Sequence, residues 1–501
     1  MKKAVFLILI FILCSCSNSE ALDPATESTI TKPETLIKVK TETLSEKVRT
    51  YTSVNGVVEE CVALAKIPGG DYSKSDLKDE NKYCEVSFYQ EGFALCPKTW
   101  STSPGTMVYD LSDSDFTTSS YESSSSCGSK TKGAGVSTLA KFKQSMNASG
   151  TSGTLSQSSL LYYHFSRYFD SKVTVPVSVY RDMDKDIHLS RVSRKGVKRA
   201  KGAMNKAGWK HLENAESNPK SYSPTDDLFS PDRKKIYGVM LRGKGERYGS
   251  EFNGTRVSGW GKGQSRDFQK TPGFLALRYK GSLVDALEYG AERAAQDSKM
   301  RKDLVGINDV QIVFWMRELI EITLMDYIFS QQDRVGNIDY RWYWAYIEQA
   351  KVKYAREKRD EYKDLPRRKM NSIPVPEKLT LLKPLLIQRT QINDNDAGAR
   401  VAYANFTKST GMLDNLEHYS AKLYKRLMKL DKDLQSNGPV YKWLENSIDL
   451  TPKRIKQIVS NTSKAANILR GQCKNLSFDL DDVDKYYVEG PRVESVDCAE
   501  F

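Results

Sequence analysis

Histidine is scarce, with four residues spread over a chain of 501, and no Cys-x-x-Cys pair occurs. Together these absences argue against a metal centre built from imidazole and thiolate. No internal repeat is present, which removes solenoid and propeller architectures. Beyond the first residues no stretch is long and apolar enough to span a bilayer. A surplus of acid is also lacking. The formal net charge is +13, which points to anionic partners such as phospholipid head groups, lipopolysaccharide or nucleotides, with nucleic acid not expected among them.

The chain starts MKKAVFLILIFILCSCSNSEA. Two lysines and a short apolar run read as a signal peptide over 1–15. Leu13-Cys14-Ser15-Cys16 resembles a bacterial lipobox, which implies cleavage before Cys16 and acylation of its thiol. Lipid chains on Cys16 would hold an exported protein at a membrane without a spanning helix. The cell envelope is the expected location, and Ser17 after the cysteine favours the outer membrane. Residues 16–48 are rich in Ser, Thr, Glu, Lys and Pro and read as a solvated tether.

Without Cys14 and Cys16, the cysteines left are Cys61, Cys84, Cys96, Cys127, Cys473 and Cys498. An even number in an exported chain favours disulfides. Bridges within the first cluster are the simplest arrangement, with Cys473–Cys498 pinning the tail. Residues 49–130, with strand-like CEVSFY and TMVYDL and a Ser-rich loop, read as a small disulfide-stapled β-rich segment.

The rest is mixed. STLAKFKQSM, KVTVPVSVYRD, KKIYGVMLRG and KPLLIQRTQI read as strands, and SQSSLLYYHFSRYF as a helix. NDVQIVFWMRELIEITLMDYIF is the best helix, with Asn308 as its cap and a wide apolar stripe. Trp342, Trp344 and Tyr346 alternate on one face of a strand. The stretch AREKRDEYKDLPRRKMNSIPVPEK reads as a charged, flexible insertion. Helices fill most of the chain beyond KPLLIQRTQI. The domain reading is therefore 131–300 mixed with a basic insertion, 301–475 helical, and 476–501 a tail.

Phosphoryl transfer needs a lysine on the phosphates, a carboxylate that orients the hydroxyl, and hard oxygen ligands for a metal ion. The chain offers such a set in order: Lys143 on an early strand, Asp333 and Asn337 after the core helix, and Asp394 and Asp396 at the end of a later strand. Around these residues, over roughly 135–470, the sequence resembles the atypical kinases: secretory-pathway kinases of the Golgi casein kinase type, HipA-type kinases and, more distantly, phosphatidylinositol kinases. YHFSRYFDSKVTVPVSVYR looks like their helix-to-strand stretch with His and Arg. LMDYIFSQQDRVGNI looks like the catalytic loop, INDNDAGAR like the metal loop, and KFKQ like the nucleotide-lysine strand.

The resemblance implies an α+β, two-lobed protein-kinase-like domain with a mixed N-lobe and a helical C-lobe. It implies ATP with Mg or Mn as cofactors and phosphate transfer to a protein or glycan hydroxyl. Lys143 would contact phosphate, Asp333 would be the catalytic carboxylate, and Asp394, with Asn337 and Asp396, would hold the metal. Ser159 stands where these kinases carry the glutamate that pairs with the lysine.

Without the resemblance the same residues have plainer readings. Asp333-Arg334 is then an ion pair closing a helix, Asp394-Asn395-Asp396 a turn, and Lys143 a solvated lysine. His164 is a core histidine, and GKGERYG and GWGKGQS are loop tips. The run from Arg191 to Lys210 holds eight Lys or Arg and no acid. It is either a solvated helix face or a patch for anionic lipid or an acidic substrate. The rival to an enzyme is an envelope lipoprotein, or a pseudokinase, that binds through this basic face.

Overall fold

The computed structural model describes residues 46–243, 245–362, 365, 367–370 and 372–500, together with the backbone of Lys38–Val39. The signal peptide, Cys16 and most of the tether lie outside the described residues.

Seven strands form the larger sheet: β1 (Lys47–Thr52), β2 (Val58–Ala63), β3 (Phe93–Pro97), β4 (Thr106–Asp110), β5 (Ser137–Gln144), β6 (Ser178–Asp184) and β7 (Lys235–Leu241). Their order is β1-β2-β6-β7-β5-β4-β3, and every neighbouring pair is antiparallel. Helices α1 (Lys74–Cys84), α2 (Thr118–Ser123) and α3 (Ser156–Tyr168) interrupt them. Residues 49–130 are thus not a separate unit. Their strands flank β5, β6 and β7 in one sheet, because β2 pairs with β6 and β4 with β5.

CEVSFY is not a strand: Cys84 ends α1, which starts from a capping box between Ser73 and Asp76. The Ser-rich stretch is not all loop either, since it holds α2, capped by Thr117. The cysteines pair as Cys61–Cys84, Cys96–Cys127 and Cys473–Cys498.

The rest of the fold is built around α5. Helix α4 (Ala203–Ser217) precedes it, and α5 (Asp309–Phe329), α6 (Ala421–Gln435) and α7 (Pro452–Gln472) follow in order. Asn308 caps α5 through the Gln311 amide. The helix is buried all round, beyond its apolar stripe, because its polar side chains are satisfied inside. Glu318 accepts from Arg389 and from Thr390, and Glu321 accepts from the amides of Lys172 and Val173.

A second sheet lies against α5, with β8 (Glu246–Arg247), β9 (Ile338–Glu348), β10 (Lys351–Arg356) and β11 (Leu385–Ile392). Trp342, Trp344 and Tyr346 are buried on one face of β9. The charged insertion packs against this sheet: Glu357 accepts from the Trp344 indole, and Met370 and Ile373 are buried. Among the described residues no helix is long and apolar enough to cross a membrane.

Much of the basic run is used internally. Arg191 and Lys195 pair with Glu122, and Arg199 donates to carbonyls at the end of α2. Arg194, Lys198, Lys201 and Lys206 stay exposed. Asp227, fully buried before β7, accepts from Arg400, Arg454 and Asn147, and Asn147 in turn accepts from Tyr403.

His164 is a core histidine. Tyr72 accepts from the Ile67 amide and donates to the imidazole Nδ1 at 2.5 Å, while Trp443 packs on the ring. Burial, aided by Lys66 and Arg167, holds its pKa well below the ordinary value. The unfolded chain therefore binds the proton first, so this stabilisation is complete above about pH 6.5 and is lost as pH falls below it. The urea midpoint of the wild-type protein should drop between pH 7.5 and 5.5, and His164→Gln should flatten that drop.

Candidate functional site

The chain leaves α5 through Ser330, a non-glycine residue in the left-handed region at φ 51°. Asn405 and Asn461 both donate to its hydroxyl and help hold that conformation. Arg334 then turns back onto the helix. Its guanidinium makes a two-pronged bond to Asp326, with Nε–Oδ2 and Nη2–Oδ1 both 3.0 Å. Tyr162 of α3 donates to the same carboxylate at 2.5 Å, and Arg334 reaches on to Asn395 Oδ1 at 2.9 Å. The ion pair at the helix end is therefore Arg334–Asp326, and Asp333 is left out of it.

Sheet register explains why two distant loops meet. Ile338 at the start of β9 faces Ile392 at the end of β11. The loop before β9 and the loop after β11 thus emerge side by side. Backbone bonds join them: Gln332 N–H to Ala397 O at 3.0 Å and Ala399 N–H to Phe329 O at 2.5 Å. The start of α3 docks on the second loop through Leu155 N–H to Asp396 O and Ser158 to Asn395 O. A Cβ on Gly398 would lie 2.8 Å from Ser158 Oγ and 3.1 Å from Phe329 O, so a side chain there would push the Ser158 hydroxyl off Asn395 O.

Four of the residues singled out in the sequence, Lys143, Asp333, Asp394 and Asp396, converge in this corner. Lys143 Nζ lies 2.5 Å from Asp396 Oδ2, and both side chains are buried. Lys141, on the same face of β5, lies 3.9 Å from Asp394 Oδ1. Asp394 is 33 % exposed and also faces Arg247 at 3.7 Å. Helix α3 carries no glutamate, so the partner of Lys143 comes from the acidic loop. Asn337 has other partners here: Arg247 donates to its Oδ1 at 2.7 Å, and its amide donates to Asp333 O.

Among the described residues Asp333 is in no ion pair, and its carboxylate accepts from the Trp260 indole N–H at 3.3 Å. Burial raises its pKa, the Trp260 bond opposes that, and the charges of Asp394 and Asp396 add to the rise. Asp394 shows the reverse. Burial works against its charge, but Lys141, Lys143, Lys98 and Arg247 outweigh it and hold the carboxyl far below its usual range. Burial, with Lys143 and Lys98 nearby, pulls the Lys141 ammonium down to about 7. The two carboxylate environments are thus pushed apart, which is the pattern of a site with divided roles.

Lys98, Lys141, Arg247 and Trp260 were not singled out from sequence. Lys141 had a signal, since it shares a strand face with Lys143. Arg247 and Trp260 sit in GKGERYG and GWGKGQS, which read as loop tips. Arg167 and Arg181, in the stretch that resembles the kinases, serve the fold instead. Arg167 binds Asp76, and Arg181 is clamped between Tyr51 and Phe88 beside Glu59.

Among the described residues no group of three or more His, Cys, Asp and Glu side chains is gathered as a metal cage. Asp394 and Asp396 still fit Mg or Mn, which is commonly held by one or two carboxylates together with substrate phosphates and water. No family model matches the chain, and no curated protein matches it as a relative.

Removing the Arg334 charge strands Asp326 in the core. Arg334→Met should cost roughly 3–5 kcal/mol in urea unfolding. Asp326→Leu with Arg334→Met should cost less than the single change, because no lone charge remains.

Proposed function

We propose that the protein is an ATP- and metal-dependent phosphotransferase of atypical kinase type that acts on a protein or glycan hydroxyl at the cell envelope. The observation that carries the reading is the meeting of Lys143, Asp333, Asp394 and Asp396 in one corner, although they come from three distant parts of the chain. The order of parts supports it as well. A lysine strand is followed by a helix, then by a carboxylate after a core helix, then by an acidic loop after a strand. On this reading the seven-stranded sheet with α3 is the N-lobe, and α5 to α7 with the second sheet form the C-lobe.

Each residue then has a task. Lys143, Lys98 and Arg247 hold the phosphates, and Asp394 and Asp396 hold the ion. Bound metal would neutralise charge on the phosphate oxygens. Asp333 orients the acceptor hydroxyl and takes its proton as that oxygen bonds to the terminal phosphorus and the bond to the leaving nucleoside diphosphate breaks. Its raised pKa gives it the proton affinity for that step. Lys143 must give up Asp396 in part when the ion arrives, since the two are in direct contact without it. An exported enzyme of this kind needs a nucleotide-rich compartment or another phosphoryl donor. The lipid on Cys16 would set its reach, and the exposed Arg194, Lys198, Lys201 and Lys206 would face anionic head groups or an acidic substrate.

Thermal unfolding with ATP and Mn²⁺ or Mg²⁺ tests this. Ligand at one hundred times Kd should stabilise the protein by about 2.7 kcal/mol, and Asp394→Ala should abolish the shift while still folding. No shift with either metal would overturn the reading in favour of a non-enzymatic lipoprotein that binds through its basic face.

A further inference from the structure

Asp394 is crowded by cations. Lys141 Nζ lies 3.9 Å and Arg247 Nη2 3.7 Å from its carboxylate, and the charges of Lys143 and Lys98 act on it as well. Lys98 adjoins Lys141 through Gly105. Its N–H donates to Gly105 O at 2.8 Å, and a Cβ on Gly105 would touch the Lys141 stem at 3.8 Å. Lys143 meets Asp396, and Arg247 meets Asp339. A divalent ion on Asp394 and Asp396 would take both carboxylates from the lysines. Lys141, Lys143 and Lys98 would then face the ligand together, and like charges so close need several negative charges to match them.

The strand gives this row a direction. Lys141 and Lys143 share one face of β5. Just past Lys143, Ser145 is fully buried, and its hydroxyl accepts from the Ser156 amide at the start of α3 at 3.0 Å. A phosphate chain held at Lys143 therefore runs along the strand toward Lys141 and Lys98. Asp333 marks the end that reacts, because its charge and that of Lys143 act on each other.

We propose that this site recognises its donor by the phosphate chain alone, and that inorganic tripolyphosphate or a longer inorganic chain serves it in place of ATP. The inference rests on the phosphotransferase reading and narrows its donor. The terminal phosphate lies between Lys143 and Asp333, and the rest of the chain lies on Lys141 and Lys98. The acceptor oxygen bonds to the terminal phosphorus as its proton passes to Asp333. The bridging P–O bond breaks, and its electron pair stays on the shortened chain, where Lys141 and Lys98 match the new charge. A nucleoside would add affinity through its base, which needs a mostly apolar slot. The groups gathered around Asp394 are cations, and they reward added phosphate instead. An enzyme with such a donor needs no nucleotide-rich compartment.

The test is thermal unfolding of the purified protein in excess Mn²⁺ with sodium tripolyphosphate, ATP or adenosine, and with sodium sulfate at matched ionic strength. Tripolyphosphate should bind within about threefold of ATP, and adenosine and sulfate should give no comparable shift. Lys141→Met should weaken tripolyphosphate about tenfold, as expected for the loss of one charge-assisted contact. Its melting point without ligand should not fall, since the change relieves repulsion among the lysines. Lys98→Met should give the same loss and serves if Lys141→Met does not fold. Affinity for ATP more than about tenfold above that for tripolyphosphate would overturn the proposal. So would a shift with adenosine, an equal shift with sulfate, or unchanged tripolyphosphate binding in both variants. A shift with ATP but none with tripolyphosphate sinks only the inorganic donor. No shift with either sinks the phosphotransferase reading itself.

Discussion

The arrangement depends on one buried ion pair, Arg334 with Asp326. Both side chains are almost wholly inside, where an unmatched charge is costly, so the pair fixes its own geometry. Asp326 belongs to α5, Arg334 to the loop that leaves it, Tyr162 to α3, and Asn395 to the acidic loop. One guanidinium and one carboxylate thereby hold four segments in register. Asp333, next to the arginine, stays outside this pair, and its carboxylate accepts from Trp260 instead.

The corner around Lys143 is an electrostatic balance. Lys98, Lys141, Lys143 and Arg247 stand against Asp333, Asp339, Asp394 and Asp396, with Arg247 also bound to Asp339 at 2.8 Å. A balance of this kind is neutral as it stands but strongly polar at every point. On the proposed phosphotransferase reading, a polyphosphate would take over the cations and a metal ion the carboxylates.

The features legible in the sequence came from local periodicity. The alternation in STLAKFKQSM placed Lys143 on a strand, the apolar period of 309–329 gave the central helix, and Trp342, Trp344 and Tyr346 gave a buried strand face. Cys473–Cys498 could be read because the two lie close in the chain, whereas the pairing among Cys61, Cys84, Cys96 and Cys127 was open until the fold placed them. Other features depend on contacts between distant residues and leave no local pattern. Helix α1 is mostly polar, and its Asp76 and Glu80 are buried only because Arg167, Tyr163 and Lys66 meet them. Helix α2 is short and rich in serine, and Arg199 from far along the chain satisfies its last carbonyls. The merging of 49–130 into the main sheet is likewise a matter of long-range pairing. In the site, the order of Lys143, Asp333 and Asp394 was visible. Arg247 and Trp260 were not, because their role comes from loops that only the folded chain brings to the acids.

Asp227 carries a further consequence. It binds Arg400, which lies just past the acidic loop, Arg454, which opens α7, and Asn147, which lies just past β5. The end of β5, the segment past the acidic loop and the start of α7 are therefore fastened through a single carboxylate. The acidic loop, the end of β5 and the start of α7 thus share one anchor, so none of the three can shift far without breaking the bonds that hold the other two.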